Sequence, residues 1–237
     1  NAGTFTSTKS QRVTVSSYGY TDLIKGPGNL YISAEQGYKR RDNVNKWGLL
    51  VSTLSTDGKD DVHVVDTERM TQNVTDNTTS YYRSPSITAL NDSIYAIGYR
   101  GYSYDGFIET FKVETSGKIT RLKSYEYDVN ESNYNKLVRV DSNTVAMIYR
   151  GFKGQWGGHV LTFDIATDGS SITEVASKLL HNSGDFFDTD LIHLRDDMYV
   201  AAYKGQGADG YLATLSVSKD GKTIDIKKEL ELSLIHI

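Results

Sequence analysis

The stretch HNSGDFFDTD brings three carboxylates together beside two phenylalanines. The acids are Asp185, Asp188 and Asp190. Glycosidases work with two carboxyl groups roughly 5 to 10 Å apart, one acting as acid and the other as base or nucleophile. The stretch therefore indicates a candidate acidic site for an enzyme acting on glycosides or polysaccharides. The interpretation we favour is a polar loop whose phenylalanines pack between neighbouring structural units.

No other pattern in the sequence is typical of catalysis or metal binding. None of the five histidines stands in an HExxH or similar zinc-binding spacing. The sequence also contains no G-x-S-x-G elbow, phosphate-binding loop or dinucleotide-binding fingerprint. We therefore expect no cofactor and no metal, and a binding protein rather than an enzyme.

Composition and charge argue against several classes of protein. Thirty acidic and 26 basic residues leave a formal charge of −4, whereas nucleic-acid binding usually shows a basic stripe. No apolar run reaches the roughly 18 residues that a membrane-spanning helix needs. The absence of cysteine rules out disulfides and thiolate chemistry. We expect neither nucleic-acid binding nor membrane insertion.

Four glycosylation sequons bear on where in or outside the cell the protein is found. One interpretation is the glycosylated surface of a secreted protein. The other is chance in a chain rich in Asn, Ser and Thr. The first interpretation predicts an extracellular or cell-surface protein, and the sequons are Asn73, Asn77, Asn91 and Asn130.

One phrase occurs three times along the chain, as YAIGYRGYSYDGFIETF, VAMIYRGFKGQWGGHVLTF and YVAAYKGQGADGYLATL. The glycine that opens the second half of the phrase recurs every 52 residues, at Gly106, Gly158 and Gly210. Each unit contains four short β-prone runs separated by turn signals such as ETSG, ATDG and SKDG. A degenerate fourth copy precedes them. Four strands per unit of about 40 to 50 residues predict an all-β fold, a β-propeller of four-stranded antiparallel blades.

The closest copy, SPSITALNDSIYAIGYRGYSYDGFIETF, resembles the propeller repeats of bacterial and archaeal secreted or surface proteins, of the form PSI…Y-x-IAYRG…DG-x-L-x-T. The resemblance covers roughly residues 18 to 232. It implies repeat architecture and no particular activity. The first unit departs from the pattern, because AEQG stands where the others have YRG or YKG.

The repeats predict one propeller domain over residues 1–232. The remaining residues, 233–237, resemble a non-native tail. Because the count is four full blades and half of another, we expect either a segment of a larger propeller or a ring of about five blades. The expected blades are 1–17 (partial), 18–70, 81–128, 133–181 and 187–232.

Equivalent positions in the first strands are candidates for a ligand site, because the first strand of each blade lines the central channel. These positions hold Asp22, Ser86, Lys136 and Asp190. Two acids and a lysine at a channel mouth could bind a polar ligand, or could line an idle, hydrated channel. Trp156, which interrupts the repeated turn, is a candidate surface contact together with Asp185 and Asp188.

The predicted function is a non-catalytic, secreted or cell-surface propeller that binds protein or carbohydrate as a scaffold module. The alternative is a propeller enzyme acting on glycosides or polysaccharides at an acidic site on one face. A third hypothesis is a purely structural segment of a large adhesin. We expect a monomer, unless an open blade edge pairs with another.

Overall fold

The computed structural model describes residues 21–41, 44–56, 62–70 and 83–232. In these residues sixteen β-strands form four antiparallel sheets, each with its four strands in chain order. The predicted all-β architecture of four-stranded antiparallel blades is confirmed. The expected partial blade, the C-terminal tail, Asn73 and Asn77 lie outside the described residues.

The first two sheets are blades 1 and 2. Blade 1 consists of β1 (Thr21–Lys25), β2 (Leu30–Arg41), β3 (Val44–Thr56) and β4 (Val62–Arg69). Blade 2 consists of β5 (Arg83–Ala89), β6 (Ile94–Arg100), β7 (Gly106–Val113) and β8 (Ile119–Asp128). The central hairpin of blade 1 has the longer strands, and this is the unit whose sequence departs from the repeat.

The other two sheets are blades 3 and 4. Blade 3 consists of β9 (Ser132–Arg139), β10 (Thr144–Phe152), β11 (Trp156–Ile165) and β12 (Ile172–His181). Blade 4 consists of β13 (Phe187–Arg195), β14 (Met198–Lys204), β15 (Gly210–Val217) and β16 (Ile224–Leu232). The first strands β1, β5, β9 and β13 lie beside one another in chain order, and so form the inner edge of the assembly.

Three hydrophobic clusters fill the spaces between successive blades. Neighbouring side chains of a third strand face opposite blades, as the period of two requires. In β11, Val160 packs in the cluster shared with blade 4, whereas Leu161 packs in the cluster shared with blade 2. Blades 2 and 3 therefore bury both of their faces by stacking between two others.

A buried threonine joins each blade to the next. The Oγ1 atom of Thr53 donates to the carbonyl oxygen of Gly117 at 2.6 Å. Thr162 donates to Gly221 at 2.7 Å in the same way. The accepting glycines close the turns between third and fourth strands, where φ values of +90° and +71° favour glycine. The repeated Thr and Gly are thus the two halves of one inter-blade contact.

Candidate functional site

A cleft of about 290 Å³ opens where the inner strands begin, and all four blades contribute to its lining. Blade 1 supplies Asp22, blade 2 Ser86, blade 3 Lys136 and blade 4 Asp188. Two of the three residues predicted for the channel mouth, Asp22 and Lys136, therefore line one cleft. We call it the channel-mouth cleft.

The same backbone distortion builds the cleft in three blades. Ser84, Tyr134 and Asp188 have left-handed φ values of 53°, 54° and 49°. Each stands two residues before its blade's channel position, and a break in strand pairing occurs there in all three blades. A left-handed conformation costs a non-glycine residue on the order of 1–3 kcal/mol, and such residues cluster at functional sites. The bulge turns the start of each inner strand toward the cleft.

Hydrogen bonds between blades hold two of these strained residues, Ser84 and Tyr134, in place. The side-chain amide of Asn135 donates to the carbonyl oxygen of Ser84 at 3.3 Å. The Thr189 hydroxyl donates to the carbonyl oxygen of Tyr134. Asn135 directly follows the bulge of blade 3, and Thr189 directly follows the bulge of blade 4. Each bonds to the bulge residue of the preceding blade. The rim of the cleft is therefore fixed by the stacking of blades.

Asp22 serves the stacking of blades as well as lining the cleft. One carboxylate oxygen accepts from the backbone N–H of Ile87 in blade 2 at 2.7 Å, and the other from Leu23 at 2.9 Å. Ser86 has the same role in the next blade, since its Oγ accepts from the N–H of Leu137 at 3.0 Å. In blades 1 and 2 the channel position thus supplies a side-chain acceptor for a backbone N–H of the next blade.

Lys136 replaces that acceptor with a cation. Its Nζ lies 3.4 Å from Oδ1 of Asp190, the equivalent residue of blade 4. The two side chains are 35% and 58% exposed, so their attraction is screened and contributes little to stability. Asp190 is not among the residues that line the cleft but neutralises the lysine that does. The result is a cleft of mixed charge with an ammonium group among its lining residues.

The acidic stretch HNSGDFFDTD is divided by a buried ring. Phe186 is fully buried, and its ring centroid lies 4.4 Å from that of Tyr203. Asp185, on one side, is exposed and is not among the cleft-lining residues, whereas Asp188, on the other side, lines the cleft. The packing role predicted for Phe186 is what the structure shows, and the stretch does not gather its three carboxylates in one cleft.

Exposed aromatic side chains lie at the same end of the blades as the cleft. The register pairs Gly151 with Ser132, which places the turn that carries Trp156 at the end of blade 3 where β9 begins. Trp156 is 43% exposed and its ring lies 5.4 Å from that of Phe152. The matching turn of blade 2 exposes Tyr102 and Tyr104. Only the tryptophan was predicted from the sequence, although both tyrosines stand in the turn YSYDG.

A pair of carboxyl groups at the edge of blade 2 was missed by the sequence analysis. Burial, together with the charge and hydrogen bond of Glu126, raises the pKa of Asp105 from 3.8 to about 6. Asp105 belongs to the turn after β6, and Glu126 lies near the end of β8. Within the described residues, no group of three or more His, Asp or Glu side chains is placed to hold a metal ion.

Known proteins resemble the chain in fold and not in sequence. No protein-family model matches it, and no curated protein is similar in sequence. A hypothetical selenium-binding protein from Sulfolobus tokodaii matches 90% of the chain with a TM-score of 0.59 and 12% identity. A sialidase from Trypanosoma rangeli matches 89% with a TM-score of 0.57 and 10% identity. A protein of unknown function from Dyadobacter fermentans matches 81% with a TM-score of 0.56 and 13% identity.

These likenesses show the β-propeller fold and nothing finer, because the identities are low. The chain spans 55%, 38% and 51% of the three proteins' lengths, respectively. None of the described residues forms a helix long and apolar enough to cross a membrane.

Proposed function

We propose that this propeller is a non-catalytic binding module whose ligand, a carbohydrate or protein segment, occupies the channel-mouth cleft and the aromatic surface beside it. The cleft supports the proposal because it combines Lys136, Asp188 and strained backbone from several blades. Exposed aromatic rings on the same face suit sugars and peptides, since each offers a flat apolar surface beside a polar group.

Two of the carboxylates near the cleft, Asp22 and Asp190, favour binding over catalysis. Both oxygens of Asp22 accept backbone hydrogen bonds, and Asp190 pairs with Lys136. A general acid or base must exchange a proton with the substrate. Groups already engaged in stacking blades or in neutralising a lysine are poorly suited to that exchange, and well suited to presenting a fixed surface.

The test is an oligosaccharide and peptide array followed by calorimetry. Sialyllactose belongs among the probes because some proteins of similar fold are sialidases. We expect Lys136→Met and Trp156→Ala each to weaken binding of an array hit by about tenfold, or 1.4 kcal/mol. Lys178→Met, a matched change on the outer strand β12, should leave the affinity unchanged. A probe that binds Lys136→Met and Trp156→Ala as tightly as the unchanged chain would show that the binding surface lies elsewhere.

The alternative function is a glycoside- or polysaccharide-acting enzyme, and the Asp105–Glu126 pair favours it. A carboxyl group with a pKa of about 6 beside a second carboxylate is what acid catalysis near neutral pH requires. Fluorogenic glycosides, including a sialoside, are the substrates to test. Hydrolysis that Asp105→Asn abolishes would replace the binding proposal with this one.

We also propose that the chain belongs to the secreted or surface repeat family that its sequence resembles. Asn130 is exposed and compatible with a glycan. Asn91 suits a glycan less well, because its amide donates to the carbonyl oxygen of Thr167 at 2.9 Å. Expression in a glycosylating host should modify Asn130 in preference to Asn91, as peptide mass mapping would show.

A further inference from the structure

A second cleft lies at the opposite end of the blades from the channel-mouth cleft, at the internal junction between blades 1 and 2. Its volume is about 780 Å³, which falls in the range of roughly 300–1,000 Å³ that is usual for ligand pockets. The turn between β1 and β2 forms one wall, and the turns that follow β5 and β7 form the other. We call it the turn cleft.

A side chain that closes this end of the next junction is missing from blade 1. The backbone N–H of Gly26 donates to the carbonyl oxygen of Leu30, as that of Leu90 donates to Ile94 in blade 2, so Gly26 and Leu90 are equivalent. Leu90 is buried in the cluster between blades 2 and 3. Gly26 has no side chain that could pack in the same way, and it lines the turn cleft.

The aliphatic side chain of blade 1 lies further from the turn. Ile32 is fully buried in the cluster between blades 1 and 2, whereas its equivalent in blade 2 is the smaller Ala96. The inner part of the junction is therefore filled, and the open space lies at its end. The floor of the turn cleft is apolar, because Ala89, Tyr95 and Val113 line it.

The two lysines that border the turn cleft extend toward other surfaces. Nζ of Lys25 lies 5.2 Å from the centroid of the Tyr31 ring. Tyr95, the equivalent of Tyr31, packs toward the preceding blade, so Tyr31 and Lys25 lie on the face of blade 1 that is turned away from blade 2. Lys112 pairs with Ile94, which packs toward blade 3. Directly opposite residues of an antiparallel pair share a face, so Lys112 is directed toward blade 3 as well.

Two carboxylates at the rim of the turn cleft can accept further hydrogen bonds. Asp92 is exposed, and within the described residues its carboxylate makes no hydrogen bond or ion pair. Glu114 accepts one long hydrogen bond, from the Ser116 hydroxyl at 3.5 Å. Burial and the charge of Asp92 raise the pKa of Tyr95, so the Tyr95 hydroxyl stays protonated. The lining thus combines an apolar floor with negative charge at the rim.

We propose that the turn cleft binds a primary amine on a short aliphatic chain, either a free diamine or the lysine side chain of a peptide. The methylene chain lies over the apolar floor, and the ammonium group meets Asp92 and Glu114. A lysine side chain has this form, since its methylene stem packs on apolar surface while its ammonium group stays near water. Hydrogen bonds between an ammonium group and a carboxylate are stronger than those between neutral groups.

The experiment is an NMR titration with two amines and two controls that match them. The amines are cadaverine and a capped glycine–lysine–glycine peptide. The controls are glutarate, which has a five-carbon chain and the opposite charge, and the same peptide with norleucine in place of lysine. We expect the amines alone to shift the backbone amide signals of Asp92, Ser93 and Thr115. Binding of cadaverine alone would support the proposal for free amines, and binding of the peptide alone would support it for exposed lysines.

Asp92→Asn tests the carboxylate at the rim. We expect it to weaken binding of the amines about fivefold, as for an ion pair in contact with solvent. Asp196→Asn is the matched control, because Asp196 is exposed at the same position in the corresponding turn of blade 4. It should leave the affinity unchanged.

A variant that fills the turn cleft tests the site itself. Gly26→Leu combined with Ile32→Ala gives blade 1 the residue types of Leu90 and Ala96, and should abolish amine binding. The two changes belong together because a Cβ at Gly26 would lie 3.2 Å from Cγ1 of Ile32. Should this variant unfold, Asp92→Asn still tests the proposal at an exposed position.

Three results would overturn the proposal. The first is that neither amine binds at millimolar concentration. The second is that glutarate shifts the same signals, since the cleft would then not select positive charge. The third is that Asp92→Asn binds the amines as tightly as the unchanged chain.

Discussion

The hydroxyl of Thr110 in blade 2 donates a hydrogen bond of 2.7 Å to the carbonyl oxygen of Gly169 in blade 3. Thr110 is fully buried, and Gly169 has a φ of +76° in the turn before β12. The contact ties the outer hairpin of one blade to the middle of the preceding blade. A threonine and a glycine meet in this way at each internal junction. The contact therefore explains why both residues recur at fixed positions in the repeat.

Replacing Thr110 with valine should destabilise the propeller. Valine has nearly the same shape but cannot donate, so the Gly169 carbonyl oxygen loses a buried partner. A buried polar group without a hydrogen-bond partner lowers the free energy of unfolding by about 1–3 kcal/mol. Urea unfolding of Thr110→Val should show that loss as a lower midpoint with an unchanged slope.

The matched control is Thr214→Val, the same change in blade 4. Among the described residues no neighbouring blade accepts from Thr214, so at concentrations where the chain is monomeric its free energy of unfolding should change by less than about 0.5 kcal/mol. Equal losses in the two variants would mean that the threonines act through strand propensity and not through the inter-blade bond.

Asp22 and Lys136 occupy equivalent positions but should differ in their effect on stability. Asp22→Ala removes the acceptor of two backbone N–H groups, and we expect a loss of about 1–3 kcal/mol. Lys136→Met breaks only an exposed ion pair, and we expect less than about 1 kcal/mol. Thermal unfolding of both variants at one pH compares them. A larger loss for Lys136→Met would show that the lysine is needed for stacking.

The blade architecture could be predicted because it depends on short-range sequence patterns. Alternating side chains, Asp-Gly and Ser-Gly turns and the 52-residue interval between Gly106 and Gly158 all point to four-stranded units. The inter-blade bond could not be predicted, although Thr110 was visible as a repeat. Its partner, Gly169, lies 59 residues away and meets it only when blades stack.

The candidate site was only partly predictable. Asp22 and Lys136 were found by counting along the repeats. The bulges at Ser84 and Tyr134 were not, because neither residue type signals a left-handed backbone.

The bulge at Ser84 provides a third prediction. Glycine adopts a left-handed φ without strain, so Ser84→Gly should leave stability unchanged or raise it by up to about 1 kcal/mol. Valine is poorly tolerated at such a φ, and Ser84→Val should lower stability by about 1–3 kcal/mol. Chemical denaturation measures both. If glycine proves as damaging as valine, the serine side chain and not the backbone matters at this position.

Asp105 makes stability depend on pH in a direction opposite to that of most carboxylates. Its pKa is raised from 3.8 to about 6 in the folded chain by burial and by Glu126. Below pH 3.8 the group is protonated in both states and contributes nothing. Between pH 3.8 and about 6 the unfolded chain ionises first, so stability falls as the pH rises and stays lower above pH 6.

Asp105→Asn should therefore stabilise the protein at pH 8 and leave it unchanged at pH 3.5. We expect a rise in Tm of about 2–4 °C at pH 8, which corresponds to about 1 kcal/mol in a chain of this size and is kept small because solvent screens a partly exposed carboxyl group. Glu126→Gln should remove some of the same repulsion, so the double variant should gain less than the sum of the two single gains. A gain in Tm that is equal at pH 3.5 and pH 8 would contradict the raised pKa, since it would not depend on ionisation of the carboxyl group.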